Sequence, residues 1–183
     1  MRIAMLTNNY RPFVGGVPIS VERQARELIK LGHDVTVFAP FYGDTRTERD
    51  KLLREDEMAP ETVVRYRIRR KKMDNGMVYP VLFPEEIIRE FENKTFDCIH
   101  VHHPMFVGPL GVKLGKRYAI PVIFTCHTRY EDYLHYIPVF RVNGNSLGVK
   151  KRAVEWIRTK AIPSYISWFA DRCDLVLAPS AGM

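Results

Sequence analysis

Val122-Ile123-Phe124-Thr125-Cys126-His127-Thr128-Arg129-Tyr130-Glu131-Asp132-Tyr133-Leu134-His135-Tyr136 is the stretch whose reading decides the fold. Four apolar or β-branched residues follow Pro121 without polar alternation. That is the pattern of a strand buried on both faces, and hence of a parallel sheet. The run then changes abruptly to His, Thr, Arg, Glu and Asp. Ligands of open α/β sheets bind at the carboxyl ends of the strands, so His127 stands where chemistry is expected. The plainer alternative is a histidine that only ends a strand and caps the next helix. The crowd of polar groups behind it makes it a candidate site residue.

Working outward, strands and helices alternate. Upstream, Cys98-Ile99-His100-Val101-His102 reads as a strand and Phe106 to Tyr118 as a helix. At the start, Arg2 to Thr7 is a strand, Asn8 to Pro18 a loop, and Ile19 to Leu31 a helix with Val21, Ala25, Leu28 and Ile29 on one face. Gly32 ends that helix and Val35 to Ala39 forms the second strand, which makes one βαβ unit. Helix potential around Arg46 to Glu57 is followed by Val63 to Ile68, where apolar residues alternate with arginine as in an edge strand with one wet face. Pro84-Glu85-Glu86 opens a helix through Phe91. Ile137 to Leu147 reads as a loop, Val149 to Arg172 as a helical stretch interrupted near Pro163, and Leu175 to Ala178 as the last strand. Pro179 to Met183 reads as the first turn of another helix. The expected fold class is α/β: a doubly wound, mostly parallel Rossmann-like sheet occupying residues 1–183 as one domain.

Composition narrows the function classes. A hydrophobic content of 46% requires a packed interior and excludes a disordered chain. No apolar run approaches the roughly 20 residues of a membrane span, and the N-terminus reads as a strand rather than a signal-peptide core. The three cysteines (Cys98, Cys126, Cys173) lie in or beside apolar runs without close spacing. That suits a reducing compartment, and a cytoplasmic location is expected. The net charge of +7 is unevenly spread: six of the eight residues from Arg65 to Lys72 are basic. A second group comprises Arg141, Lys150, Lys151, Arg152, Arg158 and Lys160. Such patches suit phosphate on a nucleotide, a nucleic acid or an anionic membrane surface; the alternative is a solvated face.

Among motifs, Gly15-Gly16 lets the backbone approach a ligand and precedes a helix whose N–H groups favour an anion. It does not match Gly-x-Gly-x-x-Gly, and Ala39-Pro40 lacks the ribose-binding acid, so a nicotinamide dehydrogenase is not expected. The Walker loop and the nucleophile elbow are absent. His100, His102 and His103 raise a metal reading, but neither carboxylate nor cysteine completes a ligand spacing and Pro104 follows at once, so no metal is expected. Glu131 and Asp132, adjacent on an expected helix, point apart and make a poor glycosidase pair.

Gly15-Gly16-Val17, Leu31-Gly32-His33-Asp34-Val35, Asp97 to Gly108 and Asp174 to Ser180 together resemble the N-terminal half of glycosyltransferase family 4, with the GT-B fold. His127-Thr128-Arg129-Tyr130-Glu131-Asp132-Tyr133 with His135-Tyr136-Ile137 looks closest to the diacylglycerol glucosyltransferase branch. The resemblance implies an acceptor-side Rossmann-like domain facing a donor-binding domain that this chain lacks. It implies transfer from a nucleotide-sugar with retention of configuration to a lipid or carbohydrate acceptor, diacylglycerol in the favoured case. By the resemblance Gly15 and Gly16 lie near the donor diphosphate and His127 touches the transferring sugar. His103, Arg129, Tyr130, Glu131 and Asp132 become acceptor or cleft-lining candidates. The nucleotide-sugar is a substrate, so no cofactor is expected, nor is a nucleic acid partner. The inner face of the membrane becomes a place of work, with Trp156 and Trp168 either at that interface or in the core. The family's Glu-x7-Glu motif belongs to the other domain and does not occur here, so the chain alone is expected to be inactive. The rival reading is a phosphate- or nucleic-acid-binding Rossmann module without catalysis.

Overall fold

The computed structural model describes residues 1–72, 76–132, 134, 140–142 and 148–178, with the side chains of 70–72 left aside. Ile137 to Leu147 and Pro179 to Met183 therefore lie largely or wholly outside the described residues. Six parallel strands form one sheet in the order β3-β2-β1-β6-β7-β8. They are β1 (Arg2–Leu6), β2 (Asp34–Pro40), β3 (Thr62–Tyr66), β6 (Cys98–Val101), β7 (Val122–Thr125) and β8 (Leu175–Leu177). A separate antiparallel pair joins β4 (Ile68–Lys72) to β5 (Val78–Pro80). The strand order reverses between β1 and β6, and the carboxyl edge of such a switch point is where doubly wound sheets bind ligands.

Alternate residues of each strand feed two cores. Ile3, Met5, Val35 and Val37 pack with Val21 and Ala25 of α1 (Gly16–Lys30). Ala4, Leu6, Phe38, Ile99, Val101 and Phe124 pack on the opposite face. That face is covered by Phe91 of α3 (Glu85–Asn93), Leu110 and Leu114 of α4 (Val107–Tyr118), and Phe169 of α6 (Ile162–Ala170). Each large side chain so buried contributes roughly 1.5–3 kcal/mol. Apolar residues on both faces are what made the strands read as continuous hydrophobic runs.

Helix α4 lies close to the sheet because one side of it is glycine. A Cβ on Gly108 would stand 2.4 Å from the His103 carbonyl oxygen, and one on Gly115 would stand 2.3 Å from Val122 Cγ2. Thr45 and Glu48 form a capping box that starts α2 (Arg46–Glu57). At Gly32, with φ +85°, the chain leaves α1 as the left-handed position requires.

Three local expectations change. Helix α1 begins at Gly16, three residues before the Ile19 start expected from sequence, because Val17 and Pro18 complete its first turn. The single strand expected over Val63 to Ile68 is two, with Arg67 as the break, and only part of its wet face is wet: Arg67 is exposed, but the Arg65 side chain is only 2% exposed. The interruption near Pro163 is a π-helical turn, Ile157–Ala161, between α5 (Gly148–Trp156) and α6. Proline cannot donate back into the preceding turn and its ring crowds the carbonyl four residues earlier.

Candidate functional site

All six strands of the main sheet point the same way, so Gly15-Gly16 after β1, His102-His103 after β6 and His127 after β7 belong to one carboxyl edge. The histidines there are joined to one another and to the backbone. His100 Nε2 lies 2.7 Å from Thr125 Oγ1. The rings of His100 and His102 have centroids 4.1 Å apart, as expected for residues two apart on one strand face. His102 is wholly buried, and its Nδ1 lies 2.9 Å from Nε2 of the half-buried His127. His103 turns inward: its Nδ1 accepts the Asn8 N–H at 3.1 Å, which ties the β6 loop to the β1 loop at the switch point. Asn8 also donates to the Met105 carbonyl and accepts from the Val107 N–H, so the amino end of α4 is already occupied. The amino end of α1 is different. Gly15 caps it without a side chain, no acid stands in its first turn, and a Cβ on Gly16 would meet nothing within 4 Å.

Burial is the first cause that moves these imidazoles, and it moves them all toward the neutral form. The pKa falls to about 4 at His100 and about 3 at His103, well below the ordinary value at His102, and below it at His127. The proximity of the rings to one another adds to this at His100, His102 and His103. Among the described residues no set of three His, Cys, Asp or Glu side chains converges as a metal group. His100 Nε2, His103 Nδ1 and His102 Nδ1 face Thr125, Asn8 and His127 respectively.

On the other side of β1, toward β3, charge is buried. Glu61, 2% exposed, accepts from Tyr10 Oη at 2.8 Å and pairs with Arg11. Arg11 also reaches Asp56 at 3.4 Å, and Asp56 takes a two-pronged grip from Arg65 at 2.7 and 2.8 Å. Arg65 Nη1 donates to the Pro40 carbonyl. Two cations and two anions thus balance, and the geometry that holds them is that of a structural network. The basic run is correspondingly thinner at the surface than its sequence suggests: Arg65 is inside, and Arg67 pairs with Glu85 and Glu86.

The family model for Glycosyltransferase Family 4 matches residues 14–183. This chain belongs to glycosyltransferase family 4. The alpha-monoglucosyldiacylglycerol synthase of Acholeplasma laidlawii is 31% identical over 75% of this chain and 32% of its own length. The alpha-monoglucosyldiacylglycerol synthase of Streptococcus pneumoniae is 33% identical over 75% of this chain and 29% of its own length. A GDP-mannose-dependent alpha-(1-6)-phosphatidylinositol dimannoside mannosyltransferase of Mycobacterium tuberculosis is 26% identical over 73% of this chain and 32% of its own length. The chain spans about a third of the length of these relatives.

Placed against this family 4 frame, the remaining site candidates separate. Arg129 is exposed and its Nε lies 3.2 Å from Glu131 and 3.5 Å from Asp132. The two acids therefore converge on one guanidinium instead of pointing apart, because Tyr130–Asp132 is a 3-10 turn and not the expected α-helix. The Tyr130 hydroxyl is buried without a partner among the described residues, and burial pushes its pKa up. Tyr133, His135 and Tyr136 lie outside the described residues. The sequence reading passed over Asn8 and Thr125, which orient His103 and His100, and the whole Glu61 network. A carboxylate between Pro60 and a strand was the visible signal for Glu61; nothing near Asn8 announces a partner 95 residues away.

Proposed function

We propose that this family 4 chain is the acceptor-side half of a retaining glycosyltransferase that moves a sugar from a nucleotide-sugar to a membrane lipid such as diacylglycerol. The observation that carries the reading is His127: family membership makes it a sugar-contact candidate, and it sits half-buried at the carboxyl edge beside the switch point. The names of two relatives, both alpha-monoglucosyldiacylglycerol synthases, favour the glucose and diacylglycerol case. In this reading His127 gives a preorganised hydrogen bond to the reacting sugar as charge separates, and Gly15 and Gly16 present an uncapped helix end to the donor diphosphate. His103, Arg129, Tyr130, Glu131 and Asp132 are assigned to shaping the acceptor wall, His103 from inside the protein.

The membrane part of the proposal draws on α5 and the turn after it. Lys150, Arg152 and Lys160 are exposed there, and so are Val149 at 80% and Trp156 at 61%. Trp168 is 46% exposed, stacked on Tyr165 and covered by the Arg172 guanidinium. Neither tryptophan is core. Aromatic and basic residues side by side suit the headgroup region of an anionic bilayer. No helix among the described residues is long and apolar enough to cross a membrane.

The test is to offer nucleotide-sugars, with diacylglycerol in anionic vesicles, to this chain alone and to the protein carrying a donor-binding domain. Transfer is expected only from the second, since both cleft walls must position the reactants. His127→Ala should lower its turnover roughly 10²–10³-fold with the fold intact. Robust transfer by this chain alone would overturn the half-enzyme reading, and near-normal turnover by the variant would remove His127 from the site.

A further inference from the structure

His102 is wholly buried, yet its Nε2 has no hydrogen-bond partner among the described residues. That orphan nitrogen decides where the protons of its neighbour lie. His102 Nδ1 and His127 Nε2 face each other at 2.9 Å, so one of the two must carry the shared proton. If His127 donated, the proton of neutral His102 would sit on Nε2, a buried N–H with nothing to accept it. An unmade buried hydrogen bond costs about 1–3 kcal/mol, and orphaned buried N–H groups are rarer than under-used acceptors. If His102 donates from Nδ1, its Nε2 is left as a bare lone pair, the cheaper of the two states. The rest of the surroundings holds His102 neutral. The titratable groups against it are the His100, His103 and His127 rings, and no carboxylate contacts any of these four histidines among the described residues.

We propose that His102 is a positioning residue that donates from Nδ1 and fixes His127 as its Nδ1–H tautomer, so that the free edge of His127 meets substrate as a hydrogen-bond donor to an oxygen of the sugar. The role in transfer rests on the reading of His127 as a sugar contact; the tautomer does not. Two consequences follow. At its free edge His127 cannot accept a proton while it stays neutral, so it stabilises negative charge on oxygen and is not a general base there. Protonating it would drive the His102 proton onto the orphan Nε2, so the pair also resists becoming a cation.

Ring-nitrogen NMR of the chain with 15N-labelled histidine at pH 7 tests this directly. His127 should show a protonated, pyrrole-type Nδ1 and a bare, pyridine-type Nε2, with His102 likewise protonated at Nδ1. His102→Leu should release His127 into a mixture of tautomers. His102→Asn, whose amide N–H can stand where Nδ1–H stood, should restore the Nδ1–H signature, a recovery that a merely structural role for His102 would not give. Spectra of the unaltered chain decide the matter even if a variant fails to fold. A His127 ring protonated at Nε2, or one already averaging between tautomers, overturns the lock. In the protein with its donor-binding domain, His102→Leu should lower kcat by roughly 10²-fold and His102→Asn should recover most of it. If the spectra show the lock but His127→Ala keeps full turnover, the sugar-contact reading fails and the lock stands; the converse result sinks only the lock.

Discussion

The two sides of β1 bury polar groups in opposite ways. Toward β3, Glu61, Arg11, Asp56 and Arg65 keep their charges and cancel them in pairs. Toward β7, His100, His102, His103 and His127 are driven to neutrality, with a hydroxyl, a backbone amide and one another for company. The charged side matches its cations to its anions, with one Arg11 nitrogen and one Glu61 oxygen left without a hydrogen bond among the described residues. The neutral side leaves one nitrogen of the wholly buried His102 unpartnered and keeps His127 half-buried, where a neutral ring is open to a ligand. A balanced ion network has little left to offer a substrate, whereas a held neutral imidazole still has a donor to give.

Acidification should separate the two sides most strongly. A histidine whose folded pKa is depressed refuses a proton that the unfolded chain takes below its ordinary value near 6.5. The unfolded state then binds more protons, so stability is full above about pH 6.5 and is lost as pH falls toward the folded values. With His100 at about 4 and His103 at about 3, the loss falls between pH 6.5 and about 3, and His102, also lowered, adds to it. His100 and His103 each contribute about 1.4 kcal/mol per pH unit well below pH 6.5, for a total on the order of 4 kcal/mol between pH 7 and 5. Urea unfolding at pH 7, 6 and 5 measures it, and a flat series would show that the native histidines accept protons freely.

On the charged side, Glu61→Gln leaves Arg11 short of a buried counter-charge and should cost about 3–5 kcal/mol at pH 7. The matched change across β1, Thr125→Val, removes only a neutral partner of His100 and should cost less, about 1–3 kcal/mol. Denaturant midpoints of the two variants rank them, and equal losses would erase the distinction between the clusters.

An effect of similar size concerns how tightly α4 is seated beneath the histidines. Gly108→Ala would place a methyl group 2.4 Å from the His103 carbonyl, so about 1–3 kcal/mol of overpacking is expected, with displaced His103 ring signals. Thermal unfolding and the His103 resonances check it; an unshifted His103 would mean that α4 gives way rather than β6.

Much of the scaffold was legible because it rests on short-range rules. Alternating strand and helix periods, the glycine exit at Gly32 and the helix over Arg46 to Glu57 depend on neighbours a few residues apart. The position of His127 after a buried strand was legible for the same reason, since strand ends can be read locally and parallel sheets place them on one edge. Arg65 was misread as wet because its partner Asp56 reaches it from a different element, and no periodicity encodes that pairing.

The sequence by itself therefore determined the parallel α/β order, the family and the place of His127 in the chain, since local hydrophobic pattern and motif order suffice for each. Only the tertiary structure decided which polar groups meet: Asn8 with His103, Glu61 with Arg11, and His102 with His127. Those contacts set protonation and charge, because both depend on burial and on partners brought together from distant parts of the chain.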